Sequence, residues 1–294
     1  DLFAEDKILR ESFLSRDFLK KIIKKDLTST QLKNLIFKLG AQLSLGLIDN
    51  ETVSKNLSES ITQRISVLVK TNIEKLTWAK DYFIMVLGST GMKTMSFASD
   101  VDLIFVVRNL KKYETIQREF QELFGILKKE LSHFQVDFRL RPEGESSQLV
   151  WDFEKYFEYI DKRARIWELQ SFLKTRFVCG NKKLFIKLID SFIHRTSRLT
   201  KDEILKGITD VRAKSLSSFP AEMNLIDNYI FIKKLEIFNQ LLFSSSSSKI
   251  ADDELRYTKL AHMMRIKNGQ TLKTKLGSIL KMNREQFSKI IFNK

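Results

Sequence analysis

The hydrophobic period of this chain changes at Tyr82, and that change restricts the fold more than any other feature. From residue 83 to 87 runs Phe-Ile-Met-Val-Leu, closed by Gly88. It is too short and too β-rich for a helix and predicts a strand. Val101 to Val107 predicts a second strand and residues 134–140 a third, with clean alternation. Between these two, residues 113–131 carry apolar side chains at helical spacing. A strand, turn, strand, helix, strand order makes an αβ module of roughly 60 residues.

Everything around that module has helical period. Leu32, Leu35, Ile36, Leu39 and Leu43 line one stripe, and Ile61, Ile65, Leu68 and Ile73 another. Ser29 or Thr30 is the expected cap of a helix starting near Gln31, and residues 45–50 read as a break. From Phe153 onward the pattern is helical to the end, divided by an exposed linker at Ser244 to Ser248. Only two Pro and ten Gly punctuate the chain, in keeping with long helices. The fold class expected is α+β, mostly helical, with a helical lead-in over 1–80, a core over 81–180 and a helical bundle over 181–294. No repeat at a solenoid period is visible.

The residues that could carry chemistry lie in the module. Gly88 and Ser89 follow the first strand, where a glycine turn lets backbone approach a phosphate and the hydroxyl and nearby amides can bond its oxygens. Asp100 and Asp102 open the second strand. At i and i+2 their carboxylates share a face and can share Mg²⁺, a hard cation that prefers carboxylate and phosphate oxygen. On the third strand, alternation sends Phe134, Val136, Phe138 and Leu140 to the core and Asp137, Arg139 and Arg141 to the opposite face. Asp137 could complete a metal site or act as a base, and the two guanidinium groups could pair with phosphate oxygens. An Asp-x-Asp pair alone is most often a turn and cap. Joined to the upstream Gly-Ser and the downstream Asp137, it points to a metal site.

Other chemistries lack their residues. The Gly88 to Gly91 turn has no Gly-Lys-Ser/Thr ending of a P-loop, and no dinucleotide-binding glycine pattern occurs. His133, His194 and His262 are isolated, without zinc spacing. The single cysteine, Cys179, excludes an internal disulfide and reads as a buried thiol. No run approaches the ~20 apolar residues of a membrane span, so a soluble, cytoplasmic protein is expected. The sequence starts at Asp1 without Met or a signal peptide, as a processed or excised piece of a longer chain would. A net charge of +15 suggests an anionic partner, although Lys20, Lys21, Lys24 and Lys25 read as a solvated helical face.

These motifs carry a family resemblance. The run Gly88-Ser-Thr-Gly-Met-Lys-Thr-Met-Ser-Phe-Ala-Ser-Asp-Val-Asp-Leu-Ile-Phe105 resembles the nucleotidyltransferase signature of bacterial glutamine synthetase adenylyltransferases, two-headed enzymes that add and remove AMP on a synthetase tyrosine. Val136-Asp-Phe-Arg-Leu-Arg-Pro-Glu-Gly144 resembles their third-strand motif. Arg165-Ile-Trp-Glu-Leu-Gln-Ser-Phe-Leu-Lys-Thr-Arg176 resembles the helix that follows. The likeness covers roughly residues 18–243, with one head where the family has two.

The resemblance implies a polymerase-β-like nucleotidyltransferase sheet with Mg²⁺ on Asp100, Asp102 and Asp137. It implies Ser99, Gln170, Lys174 and Arg176 as further nucleotide or phosphate contacts, beside Gly88, Ser89, Arg139 and Arg141. On a helix Trp167, Gln170 and Lys174 would share one face. ATP, or ADP and phosphate, would be substrate or product, glutamine synthetase the protein substrate, and a PII-type protein a regulator. The segments at 95–102 and 141–146 look closer to the adenylyl-removing head than to the adenylylating one. The chain departs from the family at Ser89, where Lys is usual, and at Met92, where a second Gly is usual. At residues 225–231 Asp227 is kept while Tyr229 takes a Glu position. Two other functions stay open at this point: transfer to a nucleic-acid 3′ end, suggested by the charge, and a non-catalytic regulatory or scaffold role, suggested by the altered 225–231 segment.

Overall fold

The computed structural model describes residues 27–73, 80–110, 115–143, 147–200, 202–204, 206–207, 223–243 and 250–292. The lysine cluster at 20–25, the serine run at 244–248 and residues 144–146 of the third-strand motif lie outside them. The chain divides into two compact units, one of residues up to Met95 together with Ser99–Thr200, the other of Ser96–Ala98 with residues after 200.

The first unit opens with helices α1 (Ser29–Ser44) and α2 (Asn50–Ile73). The cap of α1 is Thr28, ahead of the expected Ser29 or Thr30. Its hydroxyl accepts from the Gln31 N–H, and the Gln31 amide oxygen accepts from the Thr28 N–H. The break at 45–50 forms as expected, with Gly46 at φ 72° and the Asp49 carboxylate accepting from the Thr52 N–H at 2.7 Å. Leu57, Ile61, Ile65 and Leu68 recur at helical spacing along the buried side of α2.

A five-stranded sheet follows. It comprises β1 (Tyr82–Val86), β2 (Val101–Val107), β3 (Val136–Asp137), β4 (Val150–Asp152) and β5 (Arg176–Gly180). β1 and β2 pair antiparallel, β5 joins the other edge of β1, and β3 and β4 both pair parallel with β2, at its start and its end. All five residues of β1 are buried, so it reads as a continuous apolar run instead of an alternation.

Three departures from the sequence reading have local causes. The third strand covers two residues instead of 134–140. The Asp137 carboxylate accepts the Arg139 N–H at 2.7 Å and bends the chain out of the ladder. The helical pattern after Phe153 is interrupted by β5, where Phe177, Val178 and Cys179 favour a strand and Gly180, at φ 98°, ends it. A Cβ at Gly180 would lie 2.3 Å from the Tyr82 carbonyl, so only glycine lets the two backbones meet there. Finally β4, unanticipated, leads directly into the next helix through the Asp152 cap.

Helices α4 (Ile116–Glu130), α5 (Phe153–Lys162), α6 (Ile166–Phe172) and α7 (Lys182–Ser197) complete this unit, after a single turn α3 (Gly88–Gly91). Phe105 packs edge-on against Phe120 and Phe124, and Phe124 stacks on Phe138 at 4.0 Å. A second cluster joins Phe83, Met85 and Ile104 to Tyr156, Phe172, Leu188 and Phe192. Alternate residues of β1 and β2 thus serve separate cores, which fixes their register.

The second unit contains α8 (Met223–Phe243), α9 (Glu254–Met263) and α10 (Gly269–Phe292), with Leu235, Phe238, Leu260 and Leu272 buried. Asp227 is exposed on α8, and its neighbour Asn228 donates to the Asn283 side chain at 2.8 Å. Among the described residues no helix is long and apolar enough to cross a membrane.

Candidate active site

The turn α3 is closed by main-chain bonds, and one more ties it to the start of β2. The Leu87 N–H donates to the Asp102 carbonyl at 3.0 Å, and the Gly91 and Thr94 N–H groups donate to the Leu87 and Ser89 carbonyls at 2.9 Å. Gly88 sits at φ 57°, and a Cβ there would come within 2.2 Å of an Asp102 carboxylate oxygen. Its glycine is therefore required both by the backbone and by the carboxylate beside it. Gly91 is required by a neighbour in the chain far downstream, since its Cβ would meet the Lys174 carbonyl at 1.7 Å.

Asp102 and Asp137 are register partners across the parallel β2–β3 pair, so their side chains stand next to each other on one face. Asp100, two residues before Asp102, belongs to the same edge. Electrostatics registers the crowding. Burial, then the charges of Asp137 and Asp100, push the Asp102 carboxyl up to about 6, with Arg139 and Lys174 opposing. Burial and Asp137 also raise Asp100. Burial would raise Asp137 as well, but hydrogen bonds from the Arg139 side chain and N–H outweigh it, and this carboxyl is lowered.

Arg139 grips Asp137 with its Nε at 2.8 and 3.0 Å from the two carboxylate oxygens and Nη2 at 2.5 Å, while its side chain remains 54% exposed. Among the described residues no group of three His, Cys, Asp or Glu side chains stands arranged to hold a metal ion. The donor chemistry nonetheless suits one. Three carboxylates at one rim, two of them raised first by burial and then by neighbouring carboxylate charge, make an all-oxygen set of the kind a hard divalent cation takes.

The face predicted for Asp137, Arg139 and Arg141 does not extend to Arg141. That side chain is buried, donating from Nη1 to the Phe138 carbonyl at 2.6 Å and from Nε and Nη2 to Ser147 at 3.1 to 3.2 Å. Nor does Lys174 share a helix face with Trp167 and Gln170, because α6 ends at Phe172. Lys174 lies in the turn before β5 and acts on Asp102 through its charge. Gln170 and Ser89 are half-buried on α6 and α3, and Ser99 is half-buried just before Asp100. His133 lies in the turn after α4, His194 on α7 and His262 on α9, and Cys179 is buried, its thiol pushed up to about 11 by that burial.

Sequence reasoning missed two contributors. Thr90, fully buried, lies 3.5 Å through its hydroxyl from the Asp100 carbonyl and steadies the turn against the aspartates. Helix α2 supplies Ser58, Glu59 and Thr62 to the back of the turn, the first and last through Arg176 and the second through a 2.7 Å ion pair with Lys93. Separations of 34 to 118 residues left no local signal for these contacts.

A profile of the family described as GlnE, glutamate-ammonia ligase adenylyltransferase, matches residues 17–190. Curated relatives are bifunctional glutamine synthetase adenylyltransferase/adenylyl-removing enzymes. That of Mycobacterium avium is 33% identical over 110 residues, 37% of this chain and 11% of the relative. That of Corynebacterium glutamicum is 28% identical over 204 residues, 67% of this chain and 18% of the relative. For Nitrosomonas europaea the figures are 25% over 203 residues, 61% of this chain and 21% of the relative. The chain thus spans about a fifth or less of the length of these relatives.

Proposed function

The chain belongs to the glutamate-ammonia ligase adenylyltransferase family, and we propose that it transfers a nucleotidyl group to or from a protein tyrosine, in the manner of glutamine synthetase adenylylation and its reversal. The observation that carries this reading is the Asp102–Asp137 register pair, with Asp100 two residues upstream and the Gly88 turn packed against the Asp102 carboxylate. On this reading the sheet is polymerase-β-like and the three aspartates hold Mg²⁺. When bound there, Mg²⁺ would neutralise phosphate charge beside the reacting phosphorus.

The chain's own groups have separate tasks. The backbone of Gly88 and Ser89, with the hydroxyls of Ser89 and Ser99, bonds phosphate oxygens. Lys174 places positive charge beside Asp102, and Gln170 offers an amide to the nucleotide. Arg139, exposed while it grips Asp137, is placed to pass a guanidinium to an arriving anion. In the removing direction a phosphate oxygen attacks the α-phosphorus of AMP-tyrosine, the bond to the tyrosine oxygen breaks, and that oxygen leaves as the protonated hydroxyl while ADP is released. The removing direction is favoured because residues 95–102 and 141–146 look closer to that head of the family. Glutamine synthetase is the proposed protein substrate, a PII-type protein the proposed regulator, and the cytoplasm the proposed site of action.

Offered adenylylated glutamine synthetase, phosphate and Mg²⁺, the protein should release ADP. Offered unmodified synthetase and ATP, it should do little. Efficient AMP attachment with no ADP release would overturn the direction, and neither reaction would overturn the substrate. The +15 charge supports a second reading, transfer to a nucleic-acid 3′ end. It requires salt-sensitive retention of RNA or DNA, and no retention at physiological salt would remove it.

A further inference from the structure

We infer that Arg176 acts on the nucleotide indirectly, as a positioning residue that clasps the Gly88–Gly91 turn to helix α2, and that Ser58 and Thr62 of α2 belong to the machinery of the site. The inference rests on reading that turn as the phosphate-binding element.

The contacts of this one guanidinium span both partners. Its Nη2 donates to the Thr90 carbonyl at 2.8 Å on the turn, and to the Thr62 hydroxyl at 2.9 Å and the Ser58 carbonyl at 3.4 Å on α2. Nε lies 3.3 Å from the Gly91 carbonyl. Nε and Nη2 thus point at the protein, into the gap between turn and helix. The start of β5 is brought to this gap by Gly91, whose missing Cβ admits the Lys174 carbonyl two residues before Arg176. A second strut runs parallel, from Lys93 just past the turn to Glu59 on α2 at 2.7 Å.

A short turn of four residues has few bonds of its own and draws its rigidity from neighbours. Here the carbonyls of Thr90 and Gly91 at its C-terminal end, the first of them also accepting from the Lys93 N–H at 3.4 Å, are gripped by a charged fork. The same turn presents Gly88 to Asp102, so any slackness in it is felt at the carboxylates. The role is distinct from phosphate binding: removing a phosphate ligand weakens the nucleotide and leaves the empty turn unchanged, whereas removing a clasp loosens the turn before any nucleotide arrives.

The test compares Arg176→Met, Arg176→Lys and Thr62→Val with wild type by amide hydrogen exchange of the ligand-free protein and by titration with Mg²⁺ and ATP. In Arg176→Met, exchange at residues 90–94 should rise and ATP affinity fall together, each by about 10- to 100-fold, the range expected for hydrogen bonds from a charged group. Arg176→Lys, reaching one side of the gap, should recover part of both. Thr62→Val should lower affinity by about three-fold although α2 contributes no group to the nucleotide, and the Thr62→Val/Arg176→Met pair should be no worse than Arg176→Met alone, because both remove one clasp. Unchanged exchange in ligand-free Arg176→Met, or effects of the two substitutions that multiply, would overturn the clasp. Should Arg176→Met fail to fold, Thr62→Val alone decides, with unchanged exchange and affinity counting against it. Wild-type protein that bound no ATP would overturn the reading of the turn itself and the positioning role with it, a result distinct from unchanged exchange.

Discussion

On one side of the carboxylate cluster, the turn over residues 87–94 is closed by its own main-chain bonds and joined to β2 by the Leu87 N–H, which donates to the Asp102 carbonyl at 3.0 Å, with Arg176 clasping it to α2. On the other, Asp137, Phe138 and Ser147 are held by the side chains of Arg139 and Arg141. A main-chain fastening survives most substitutions, because every residue but proline supplies the same groups. A side-chain fastening is lost with one residue. The two walls should therefore respond differently to mutation.

The largest effect belongs to the carboxylate that both walls surround. Asp102→Asn should abolish nucleotidyl transfer, by more than about 100-fold, since a lost metal ligand removes several kcal/mol of transition-state stabilisation. The same change should stabilise the ligand-free protein, on the order of 1–3 kcal/mol at pH 8, because the native carboxyl is raised to about 6 by burial and two like charges. The sign follows from proton binding. Between the unfolded value near 4 and about 6 the native state holds more protons, so wild-type stability falls as pH rises through that window, and the mutant's advantage is absent below it. A melting temperature at pH 8 that falls in Asp102→Asn would contradict the crowding of the three aspartates.

Next, Arg141→Ala should destabilise the fold by about 2–3 kcal/mol, by leaving the Phe138 and Ser147 carbonyls without their charged donor. Arg139→Ala, whose side chain is 54% exposed although its partner Asp137 is buried, should change stability less than Arg141→Ala does while weakening phosphate or ATP binding. Chemical denaturation read beside ligand titration separates them, and a large stability loss in Arg139→Ala would reverse the assignment.

On the main-chain wall, Gly88→Ala should cost about 1–2 kcal/mol for the left-handed backbone alone, and it should displace the Asp102 carboxylate that its Cβ would strike. Activity should therefore fall further than stability does. Equal activity in Gly88→Ala would show that the carboxylate has room to move. The smallest response is expected at Cys179, which β5 buries and whose thiol is raised to about 11. Alkylation by iodoacetamide at pH 8 should be negligible in the folded protein and complete in denaturant.

The same contrast explains what could be read from the sequence. The turn and β2 were legible because their signals are local: a glycine after an apolar run, then aspartates two apart at the start of a seven-residue strand that forms with the expected bounds. Phe138 packs on Phe124 as its alternation implied. Arg141 was misplaced because alternation was extrapolated past Asp137, where a carboxylate captures the next-but-one N–H and ends the strand. β5 was hidden between two helical patterns, and its partner β1 lies about 90 residues upstream, beyond the reach of a periodicity argument. The clasp by Arg176 has no local sequence signature, since its partners lie on two elements, the turn and α2, 85 to 118 residues upstream.

The central claim is that Asp100, Asp102 and Asp137 form a metal-dependent nucleotide site beside the Gly88 turn. Calorimetric titration of ATP into wild-type protein and into Asp102→Asn, each with Mg²⁺ and with EDTA, tests it most directly. Wild type should bind ATP with an affinity that Mg²⁺ raises, and Asp102→Asn, folded by its melting curve, should lose the Mg²⁺ dependence. ATP binding of equal strength in both proteins, indifferent to Mg²⁺, would contradict the claim.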